Sequence, residues 1–89
     1  MTQESIRALV SVYRNAPSEH KSKALAACVV AYYNASPSSN RWADSLGFAT
    51  AVHGSTVSRA DHAWMLGTGG IVSGTKAKRT VNSYLDALA

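Results

Sequence analysis

The chain has a single cysteine, two prolines, one phenylalanine and only five carboxylate side chains among its 89 residues. Cys28 alone cannot close an internal disulfide, which fits a reducing compartment. No window approaches the ~18 consecutive apolar residues that a membrane-spanning helix needs. Met1-Thr2-Gln3-Glu4 has neither the basic nor the apolar part of a secretory leader. A cytoplasmic protein without a membrane segment is expected. With so few acids, no two carboxylates stand close enough in sequence to suggest acid–base work. His53 and His62 are nine residues apart, with no Cys or acidic residue at i+3 or i+4, so neither a metal nor a cofactor is expected. Strict polar–apolar alternation never exceeds four residues, which argues against strands.

What remains is 46% hydrophobic and carries a net charge of +4. That apolar share excludes a disordered chain, and the length predicts one domain over residues 1–89. A domain near this size buries roughly 60–65% of its unfolded surface, so it holds one small core.

The apolar residues recur at helical spacing between proline and glycine stops. Ile6, Leu9, Val10 and Tyr13 fall at i, i+3, i+4 and i+7 and predict a helix over about 3–15. Ser18 can cap a second helix, whose Ala24–Tyr33 run is apolar nearly all round. Such a helix is either central or buried in a dimer seam. Ser38 or Ser39 can cap a third, about 40–53, with Trp42, Leu46 and Ala49 on one face and Gly54 just past its end. Ser58 and Asp61 form an acidic capping box for a short fourth helix ending at Gly67. Thr75 caps a fifth, whose Val81, Tyr84, Leu85 and Leu88 again form a stripe. The expected fold is all-α, a compact bundle of four to five short helices.

The expected start of the fifth helix, Thr75-Lys76-Ala77-Lys78-Arg79, breaks a local rule. Three cations would sit in a first turn that already carries about half a positive charge, and each costs about 0.3–1 kcal/mol when exposed. Free N–H groups point the same way, and Gly69, Gly70 and Gly74 allow a ligand close approach. Together they predict an anion site, most naturally for phosphate. Gly69 to Lys76 resembles the phosphate-binding P-loop in the spacing of its glycines. Thr75 and Lys76 stand in reverse order, however, and no apolar strand precedes the loop, so an NTPase is excluded. Thr56-Val57-Ser58-Arg59 resembles part of the recognition helix of the lactose-repressor family. The match covers four residues, the turn before it lacks that family's spacing, and no helix-turn-helix is assigned.

Lys21 and Lys23 add a second basic group that, beside Lys76, Lys78 and Arg79, would make one positive surface for nucleic acid. Cys28 lies in the most apolar stretch, where burial suppresses thiol reactivity. Trp64 and Tyr84 are expected in the core, and His62 is expected to flank Trp64. Tyr33 and Trp42 are left open as base-stacking residues. No enzyme is expected. The function expected is that of a small regulatory or accessory protein contacting a phosphate-bearing ligand, most naturally nucleic acid, through a basic helix start. The contacts would be Lys76, Lys78, Arg79 and Thr75, the three loop glycines, and Lys21 and Lys23. The first alternative is a protein–protein inhibitor or assembly module of the phage or plasmid kind, docking on a host protein through the second helix, Trp42 and Phe48. The second is a small-nucleotide-binding module.

Overall fold

Local capping and one apolar stripe per helix decide the architecture. The computed structural model describes residues 3–67 and 77–88. It contains α1 (Gln3–Asn15), a 3-10 turn (Ser18–His20), α2 (Lys21–Ala35), α3 (Arg41–His53), α4 (Arg59–Gly67) and α5 (Val81–Asp86). The described residues are all-α and contain no strand. None of their helices is long and apolar enough to cross a membrane.

α1 runs as expected and buries Ile6, Val10 and Tyr13 on one stripe. Glu4 in its first turn and Arg14 in its last suit the helix dipole. Its final carbonyls would lack partners, and Lys21 supplies one. The ammonium donates to the Tyr13 and Arg14 carbonyls at 3.0 and 3.2 Å and rests 4.8 Å from the centre of the Tyr13 ring.

The second helix begins later than the Ser18 cap predicts. Pro17 leads into the 3-10 turn, and α2 starts at Lys21. It packs against α1, α3 and α4, which covers most of its apolar surface and leaves Ala27 exposed and Val30 half-buried. Leu25, Cys28, Val29 and Tyr32 are its innermost side chains. Tyr32 and Tyr33 divide as their 100° separation requires, with Tyr32 in the core and Tyr33 half-buried.

α3 is rotated from the expected face. Ser45, Phe48, Ala49 and Val52 are its buried stripe, while Trp42 lies 38% exposed at the edge. The rotation lets Phe48 stack on Tyr32, with centroids 4.2 Å apart and planes within 9°. Tyr84 meets Tyr32 edge-on at 6.3 Å, and the Tyr32 hydroxyl donates to the Tyr84 carbonyl at 3.2 Å. α3 ends at Gly54, whose φ of 87° only glycine adopts freely and whose N–H donates to the Thr50 carbonyl at 2.9 Å. α4 opens on the expected Ser58–Asp61 pair, with the Asp61 N–H donating to Ser58 Oγ at 3.0 Å.

α5 departs most from expectation. It starts at Val81, and its cap is Thr80, whose Oγ1 accepts the Ser83 N–H at 3.1 Å. Lys78 and Arg79 precede that cap, in a bend. Starting the helix after both cations removes them from a first turn where the dipole opposes them. Six residues do not hold a helix alone. Val81, Tyr84 and Leu85 bury its inner face, and Arg7 of α1 clasps Asn82 and Asp86 from outside.

Candidate nucleic-acid interface

The loop between α3 and α4 and the bend before α5 flank one face of α3. Thr50 Oγ1 accepts the Val57 N–H at 3.2 Å and ties that loop to the helix. On the other side, Tyr84 presses against α3 at Gly47. A methyl group there would lie 2.7 Å from Tyr84 Cζ, so any larger residue forces the ring to shift. Between these two sides runs an open groove of about 780 Å³. Leu46, Gly47 and Thr50 form its α3 side, Trp42 and Tyr84 supply aromatic surface, and Arg59 and Lys78 bring positive charge. No acidic residue is among the described residues that line it. Arg79 stands beside it, with its guanidinium 4.3 Å from the centre of the Tyr84 ring and within 3.4 Å of the Ser83 carbonyl.

Trp42 is held by a buried polar pair. Ser45 Oγ donates to the Trp42 carbonyl at 3.2 Å and lies 2.7 Å from His62 Nε2. Nδ1 has no partner among the described residues. Burial pushes the imidazole down to about 4, so the ring is neutral at physiological pH. His62 meets the Trp42 ring edge-to-face, with centroids 4.6 Å apart. It therefore supports Trp42, whereas the sequence suggested Trp64. This serine and histidine approach within catalytic distance, but both are fully buried, and no carboxylate orients the other ring nitrogen.

No protein-family model, curated protein or solved structure matches this chain.

The four expected site residues that are described fall into separate places. Lys78 and Arg79 stand at or beside the groove. Lys21 caps α1, and Lys23 lines a different groove between α2 and α4. They add no second lobe to the groove of Lys78. Gly69, Gly70, Gly74, Thr75 and Lys76 lie outside the described residues. Phe48 is fully buried and offers no docking surface, and Trp64, expected inside, is 50% exposed. Cys28 is buried, and its thiol is pushed up to about 11. Sequence reasoning missed Arg59 as a groove residue. It also missed the Ser45–His62 pair, whose partners stand seventeen positions apart in no recognisable pattern.

Proposed function

We propose that this chain is a small non-enzymatic accessory protein that contacts nucleic acid through the α3 groove. Supporting this is the convergence of Arg59 and Lys78, from different elements, on a groove with two aromatic walls and no acid among the described residues that line it. Cations placed this way neutralise phosphates and release their counterions, whatever the base sequence. Lys76 and Thr75 follow the glycine loop and directly precede this bend in sequence, and they join the proposal as further phosphate contacts. The basic surface thus replaces the basic helix start as the feature that carries the reading, since the helix begins beyond it.

Retention on DNA at low salt, with release as salt rises, is the first test. Changing Arg59, Lys78 and Arg79 together to glutamine should weaken binding and reduce the log–log salt slope by about 2 to 3. Unchanged affinity and slope refute the proposal. Exposure of Trp42 and Trp64 favours one rival, a protein-docking module, because tryptophan is enriched at interface hot spots. A docking module would pass through a DNA column unretained at any salt concentration.

A further inference from the structure

The groove specifies the form of nucleic acid more sharply than its charge does. Reading a duplex requires a protruding element that enters a groove about 12 Å wide. Here the cations surround a concavity, and the aromatic surface lies within it. In a duplex, base faces are stacked on their neighbours and cannot reach an aromatic side chain set into a concave wall. An unpaired base can, since it presents a free π-face to any ring and its own phosphate stays within reach of nearby cations.

Trp42 is suited to receive such a base. It leaves 38% of its surface in solvent, enough to be met from the groove, while its ring meets that of the buried His62 at 80°, centroids 4.6 Å apart. The hydrogen bond from Ser45 to the Trp42 carbonyl fixes the backbone that carries it. A platform already ordered in this way loses little conformational freedom on binding. Asp44 and Asp61, the acids nearest in sequence to Trp42 and Arg59, are not among the described residues that line the groove, and Asp44 stands at its edge, near enough to act on the Tyr84 hydroxyl.

We infer that the α3 groove is a single-strand site, in which an unpaired nucleobase stacks on Trp42 while Arg59 and Lys78 hold the flanking phosphates. This inference rests on the nucleic-acid reading above and narrows it to unpaired strands.

The test is a fluorescence titration in a Trp64→Phe background, so that Trp42 is the only indole. An oligothymidylate should quench the emission and bind more tightly than a duplex of equal length. Trp42→Ala should lower its affinity between about 5- and 150-fold, the range for loss of one stacked base. Trp42→Phe, which keeps an aromatic face, should recover most of that loss, with circular dichroism confirming that both variants fold. Equal binding of single strand and duplex, no quenching, and no effect of Trp42→Ala would overturn the single-strand inference. The broader reading would survive that result if the glutamine variants still flattened the salt slope. Thymidine monophosphate binding as tightly as the oligomer would also overturn it, in favour of small-nucleotide capture. Absence of binding to any nucleic acid at low salt would overturn both.

Discussion

Acid should destabilise this protein through His62. The ring is fully buried, shares one hydrogen bond with Ser45 through Nε2 and leaves Nδ1 without a partner among the described residues. Protonation would place a charge there, with hydrogens on both ring nitrogens and no described residue to receive the one on Nδ1. Burial accordingly pushes the imidazole from 6.5 down to about 4. Between those values the unfolded chain binds a proton that the folded chain refuses, so stability rises with pH across the window. The contribution is complete above about pH 6.5 and is lost as the pH falls through about 4. At about 1.4 kcal/mol per pH unit, the gap amounts to about 3 kcal/mol, a large share of the ~5–15 kcal/mol typical of a domain. Urea midpoints measured from about pH 7 to pH 4 give the curve. His62→Gln, which does not titrate, is the reference that subtracts the carboxylates. The wild type should lose about 3 kcal/mol more than this variant over the window. Parallel losses in the two proteins, or an NMR titration of the His62 ring near 6.5, would refute the assignment.

Gly47→Ala should destabilise the fold by about 1–3 kcal/mol in thermal melts, because the new methyl would meet the Tyr84 ring. A melt equal to wild type would mean that Tyr84 does not press against α3. The Cys28 thiol should resist Ellman's reagent at mildly alkaline pH in the native protein and react on addition of urea, since burial pushes it up to about 11. Rapid native labelling would place that side chain at the surface.

The helices were legible in the sequence wherever local chemistry decides them. α1 is set by its stripe and its charged ends, the end of α3 by a glycine that can turn left-handed, and the start of α4 by a serine within reach of the next turn. The start of α5 was not legible, because two threonines compete as its cap. The cations between them settle the choice by favouring Thr80. Which side of a helix faces inward was harder still. Phe48 is buried because Tyr32 of α2 offers it a ring to stack on, and Trp64 is exposed although its own sequence neighbours are apolar. The basic residues near the C-terminus could be picked out, but not their arrangement. Arg59, Trp42 and Lys78 meet only after three separate elements have packed.

Gly47 exerts an influence well outside its own turn of backbone. Tyr84 is seated in the space its missing side chain leaves, and the guanidinium of Arg79 lies over that same ring. A silent backbone position in one helix therefore fixes the address of a positive charge that belongs to the bend before another. Among natural variants, positions 47 and 84 should drift as a pair, with a bulkier residue at the first tolerated only beside a slimmer one at the second. Where that exchange has happened, position 79 should be free to lose its arginine.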